Sequence, residues 1–275
     1  LIYKDLQRAD FNRSWTGTSY GSGYEGQGCV NDEMANYYVE FMKKHIFAYL
    51  NPPITSKVLP MYWYLGYNVY SKSVLEVGGV ILASWIVPIH ENYDGLDYWC
   101  TCMFGEDNPS DPYLIPTDRA LLDRRRKMIL APVLEKAVKA GNIIIPEEFE
   151  VGFDHVTNLI AGLGMEDDPN YYLTRGYPGS VNTYVFNSIS EPANNSYPPT
   201  NEETFIGYMH LSMYYNQARL AEVYPADKYP FLTEKFAFVQ KYLKDKYQID
   251  LEAIANGPED WDLPLPPIPE TPDEE

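Results

Sequence analysis

The sequence predicts a mainly α, α+β protein: a helical C-terminal part, a smaller mixed, aromatic-rich N-terminal part, and extended terminal arms. Three observations lead there. Between residues 116 and 256, apolar residues recur at helical spacing behind capping residues. Between 31 and 115, aromatic runs and a Gly-Gly pair interrupt that period. Residues 1–30 and 257–275 are dominated by Gly, Ser, Tyr or Pro and lack the composition to pack by themselves.

A chain of 275 residues with 45% apolar residues can bury a core without staples. Thirty-nine acidic against 21 basic residues give a net charge of −18, which disfavours neutralising nucleic-acid phosphates or docking on an anionic membrane. Three cysteines exclude a disulfide framework. Tyrosine is abundant, 25 residues beside 22 prolines, a bias suited to protein interfaces or glycan-contacting surfaces. The chain opens at Leu1 with no Lys/Arg-led apolar segment, so any targeting segment is expected to have been removed.

Taken in order, Leu1–Val30 reads as an extended arm. A helix is predicted over 31–49, opened by Asn31-Asp32, with Met34, Tyr37, Tyr38, Phe41, Met42 and Ile46 on one face and Pro52-Pro53 as its end. Met61–Tyr70 suits a strand or a helix. Val74–Ile89 is apolar but too short for a membrane span and is interrupted by Glu76 and Pro88. Gly78-Gly79 there signals a hairpin, while Leu75, Gly79, Leu82 and Ile86 fit a buried helix nearly as well. Glu91–Pro116 reads as a long loop marking the boundary between the two parts.

Thr117-Asp118 is expected to cap a helix over 118–140, with the stripe Leu122, Ile129, Leu130, Val133, Leu134, Ala137 and Val138, a kink at Pro132 and a stop at Gly141. A helix over 147–161 would turn Phe149, Phe153, Val156 and Ile160 inward. Tyr171–Pro199 reads as loop and short strand. The capping box Thr200–Glu203 opens a helix over 201–223; others follow over 230–247 and 251–255.

Motifs that would carry catalysis are weak. Gly21–Gly26 matches G-x-G-x-x-G, but no strand leads into it and no helix starts before Asn31, so a Gly-rich arm is the better reading. Cys100 and Cys102, with Cys29 elsewhere, lack the histidine spacing of a zinc site; His45, His90, His155 and His210 are scattered singly. There is no H-E-x-x-H and no G-x-S-x-G. No catalytic residue, metal or cofactor is therefore expected. The acid pairs Asp94/Asp97, Glu106/Asp107 and Asp167/Asp168, near Tyr93, Tyr98 and Trp99, could serve glycosidic acid–base chemistry, but a solvated acidic loop explains them more simply.

The partner-binding candidates are the basic island Arg124, Arg125, Arg126 and Lys127, and the tail residues Trp261, Leu263, Leu265 and Ile268. Arginine holds carboxylates in bidentate geometry, so an acidic partner, with Asp273, Glu274 and Glu275 of the tail as one source, is the expected complement of the island. The functional expectation is a non-catalytic structural subunit of a large assembly, a virion or an organellar complex, whose partners are other protein subunits. No nucleic acid on a basic surface and no transmembrane span are expected. The alternative is a secreted glycan-binding or glycan-cleaving protein using loop aromatics and carboxylates.

Overall fold

A computed structural model describes residues 24–28, 31–88, 91–92, 98–104 and 119–259. The fold is helix-rich α+β, as the sequence predicts. The described residues divide into a sheet unit, 24–44 with 59–125, and a helical unit, 45–58 with 126–259. Among them no helix is long and apolar enough to cross a membrane.

The sheet unit holds β1 (Tyr24–Gly28), α1 (Asp32–Phe41), β2 (Tyr62–Val77), β3 (Val80–Pro88), β4 (Glu91–Asn92) and β5 (Tyr98–Phe104). Asn31 caps α1 by accepting from the Met34 N–H at 2.8 Å. Met34, Tyr37, Tyr38 and Phe41 form its buried face, and the Tyr38 hydroxyl donates to the Thr101 carbonyl of β5. A π-helical turn (Met42–Ile46) and a 3-10 turn (Phe47–Tyr49) carry the helical run to the expected end. Pro52-Pro53 then start a short helix, α2 (Pro52–Thr55), capped by Asn51, because proline is tolerated where the first N–H groups have no partner anyway.

The sheet runs β1-β2-β5-β4, with β3 also paired to β2. Met61–Tyr70 is thus mostly strand. Of the segment Val74–Ile89, the described part through Pro88 is a hairpin, since Gly78 (φ 61°) and Gly79 (φ 83°) supply the two left-handed residues that a tight turn needs. The long loop expected over Glu91–Pro116 is corrected: it contains β4 and β5, and β5 runs parallel to β2. Trp99, Cys100, Thr101 and Cys102 are all buried, so β5 lacks the polar alternation that marks a half-exposed strand. The part of the Gly-rich stretch that is described lies in β1, antiparallel to β2, and does not form a strand-to-helix phosphate turn.

The helix α3 (Arg119–Lys139) starts in the sheet unit and enters the helical unit at Arg126; it runs through Pro132 unbroken, and every residue of the predicted stripe is buried. Gly141 (φ 76°) closes it: the Asn142 N–H donates to the Ala137 carbonyl and the Gly141 N–H to Val138, both at 2.9 Å. Thr117-Asp118 lies outside the described residues.

The helix expected over 147–161 is a single turn, α4 (Glu147–Glu150). Gly152 at φ 94° ends it, and Asp154 then accepts from the N–H groups of Val156 and Thr157, a local turn that competes with helix. Val156 is accordingly 82% exposed rather than inward. Strands β6 (Ser180–Val181) and β7 (Ile189–Ser190) form a small hairpin. The capping box at Thr200 and Glu203 forms as predicted and opens α5 (Asn201–Tyr214). The helix expected over 201–223 breaks at Tyr215, where extended backbone lets Asn216 cap α6 (Gln217–Val223). Helices α7 (Pro230–Tyr247) and α8 (Leu251–Asn256) match expectation.

Two buried cations brace this unit. Lys235 on α7 donates to the carbonyls of Phe149 (2.9 Å) and Val151 (2.7 Å), capping α4, amid the rings of Phe149, Phe153, Phe231 and Phe238. Arg126 does the same for α8.

Candidate functional site

Within the helical unit, α3, α5 and the segment 177–199 enclose an open cleft of about 790 Å³. The segment is held by its own polar contacts. Arg175 donates to the Thr157 and Asn158 carbonyls, the Tyr177 hydroxyl donates to the Asp154 carbonyl at 2.9 Å, and the Leu159 N–H reaches the Ser196 carbonyl at 2.8 Å. Pro178, Pro192, Pro198 and Pro199 make the wall stiff and apolar, and Tyr197 lines the cleft while 83% exposed.

The polar side is built by two helices. Glu135 and Lys139, one turn apart on α3, pair at 2.6 Å, which raises the lysine pKa. His210 on α5 is 8% exposed, and its Nε2 has no hydrogen-bond partner. That nitrogen lies 3.9 Å from Glu135 Oε2. Burial pushes the imidazole pKa down to about 4, against the pull of Glu135 and with that of Lys139, so the ring is neutral at pH 7. Glu203 is committed to the cap: the Thr200 N–H (2.8 Å) and hydroxyl hold its carboxyl below the ordinary range. His155 Nδ1 faces the Pro199 carbonyl at 2.7 Å and must donate there, since a carbonyl only accepts. Among the described residues no group of three His, Cys, Asp or Glu could hold a metal ion.

A different feature occupies the sheet unit. Around the β2–β3 turn, Leu75 (48%), Val77 (59%), Val80 (60%), Ile81 (63%) and Leu82 (61%) are exposed together. Side chains alternate across a strand, so this end of the hairpin is apolar on both faces.

Of the basic island expected as a dock for an acidic partner, only half is accessible. Arg125 and Arg126 are fully buried, and only Arg124 and Lys127 are part-exposed. Arg125 donates to the Cys102 carbonyl. Arg126 donates to the Ile254 carbonyl (2.8 Å), reaches the Ala255 carbonyl (3.5 Å) and donates to His45 Nδ1 (3.0 Å). The last carbonyls of a short helix need donors, and a buried guanidinium meets that need. Trp261, Leu263, Leu265, Ile268 and Asp273–Glu275 lie outside the described residues, as do Asp94, Asp97, Glu106 and Asp107. Asp168 turns out to be structural, accepting from the Asn170 N–H at 2.7 Å. Cys100 and Cys102 are buried in β5, where Cys102 Sγ accepts from the Val69 N–H.

Sequence reasoning missed Glu135, Lys139 and Tyr197, and saw His210 only as a solitary histidine. The Glu135–Lys139 spacing is an ordinary helix pair, and nothing local ties it to residues 177–210.

No known protein family matches the chain, and no curated protein matches it. Among solved structures it is similar to a Bacteroides caccae protein described as a "putative zinc-binding metallo-peptidase", with 14% identity and a TM-score of 0.40 over 79% of this chain and 72% of that one. At that distance the likeness carries neither fold nor activity to this chain.

Proposed function

We propose that the chain is a non-catalytic subunit of a larger protein assembly, docking on another protein through the apolar end of its β2–β3 hairpin. The observation that carries this reading is the contiguous exposure of Leu75, Val77, Val80, Ile81 and Leu82. Clustered exposure of that kind marks interaction surfaces, whereas single exposed aliphatics do not. Two carboxylates of the cleft are engaged within the chain, Glu135 through Oε1 with Lys139 and Glu203 with the α5 cap, an arrangement that favours a non-catalytic reading.

The test is a photo-reactive residue at position 81 of the full chain, expressed in its source cells. The expected result is cross-linking to one defined partner chain, abolished by Val80→Asp with Leu82→Asp while the fold, read by circular dichroism, is unchanged. Association that survives those substitutions, with no cross-link at 81, overturns the reading.

A further inference from the structure

We infer that the cleft of the helical unit is a binding site for a neutral oligosaccharide, with His210, Glu135 and Lys139 reading its hydroxyls and Tyr197 covering a sugar-ring face. This goes beyond the docking role of the hairpin and uses a different unit.

The cleft, at about 790 Å³, falls in the size range of small-ligand sites, about 300–1,000 Å³. Its surface is divided about evenly between polar and apolar, as suits a ligand that presents both. The observation pointing to a ligand is His210 Nε2, a polar atom buried without a partner in the wall of an open cleft. Leaving such a group unpaired is costly, and a ligand atom can remove that cost.

Which ligand follows from the charges. The polar side carries a neutral imidazole, the Glu135–Lys139 pair and two further carboxylates, Glu202 and Glu203, the second held in the α5 cap. An anionic ligand is disfavoured by Glu135, Glu202 and Glu203 in a chain of net charge −18; a cationic one is the rival that a lysine-rich peptide tests. A hydroxyl answers the carboxylate and the imidazole together because it donates and accepts at once. Set beside Glu135 Oε2 and His210 Nε2, which lie 3.9 Å apart, it donates to the carboxylate and, with a small shift of the wall that uncovers the buried nitrogen, accepts from an imidazole N–H there. A neighbouring hydroxyl accepts from Lys139.

The walls supply the other half of sugar recognition. A pyranose presents C–H faces, which need rigid apolar surface, and prolines and tyrosines give it with little side-chain entropy to lose. Tyr197, 83% exposed, makes too few contacts in the chain to be there for packing.

The experiment is isothermal titration calorimetry of the full chain with maltohexaose, cellohexaose, xylohexaose, mannohexaose and chitohexaose, repeated with a lysine-rich and a proline-rich hexapeptide. The expected result is binding of at least one hexasaccharide. Tyr197→Ala should weaken it tenfold or more, and Glu135→Gln with His210→Gln should lower it further. Because Tyr197 is exposed, Tyr197→Ala leaves the thermal transition in place, so loss of binding is not loss of fold. No binding of any hexasaccharide at millimolar concentration overturns the inference. So does sugar binding indifferent to Tyr197→Ala, and so does Tyr197-dependent binding of a peptide alone. None of these outcomes bears on cross-linking at position 81, so the two proposals fail separately.

Discussion

Both units bury an arginine, Arg125 in the sheet unit and Arg126 in the helical one. They differ in how they use buried charge at helix ends and in where they leave apolar side chains. The helical unit takes charge inside: Arg126 and Lys235 are buried and donate to backbone carbonyls at helix ends, and His210 is buried and neutral. The sheet unit instead leaves apolar side chains outside, gathered at one hairpin end. The helical unit has exposed aliphatics too, such as Val151 (70%) and Leu163 (97%), but they sit on separate turns. Short helices explain the difference. α4 and α8 have few internal bonds, so their terminal carbonyls need donors from elsewhere, and long cationic side chains reach them. A hairpin satisfies its backbone by pairing and makes no such demand on its tip.

The largest effect expected from this contrast concerns neighbours on one helix. Arg126→Leu should cost about 3–5 kcal/mol in urea denaturation, because the Ile254 and Ala255 carbonyls and His45 Nδ1 lose their buried donor, at about 1–3 kcal/mol each. Arg124→Leu, two residues away and part-exposed, should cost under about 1 kcal/mol, as a partly solvated charge does. Equal effects would dissolve the distinction between buried brace and surface charge.

Next comes His210. Its folded pKa of about 4 lies below the ordinary 6.5, so as pH falls the unfolded chain takes up the proton first. This residue therefore removes stability as pH drops from 6.5 towards 4, by up to about 3 kcal/mol, and contributes no pH dependence above that window. His210→Gln should flatten the stability profile over that interval, measured by denaturation at stepped pH.

Gly257→Ala is smaller. Gly257 sits at φ 75° just past α8, and a Cβ there would collide with the Arg126 guanidinium. A loss of about 1–3 kcal/mol is expected, partly relieved in an Arg126→Leu background if the collision rather than the dihedral dominates. The smallest effect belongs to the hairpin. Val80→Asp with Leu82→Asp should change stability by no more than about 0.5 kcal/mol, as exposed sites do, and a larger loss would mean that the tip is packed.

Some of this was open to reading along the chain. The Thr200–Glu203 cap, the α3 stripe, the Gly141 stop and the Gly78-Gly79 turn depend on residues within a few positions of each other, and local chemistry decides them. The failures have local explanations of a subtler kind. Asp154 and Asn216 offered the backbone a competing bond, and each ended a helix that periodicity alone would have continued.

By itself the sequence determined the helix-rich α+β class, the acidic charge and most helix positions, because hydrophobic period, caps and turn residues act over one or two turns. Only the tertiary structure decided which arginines face water, that a lysine is ringed by phenylalanines, and that His210 meets Glu135 across a proline-walled cleft. Residues 75 positions apart in sequence share no local signal. Burial and partner geometry, which set their charge and their chemistry, exist only once the chain has folded.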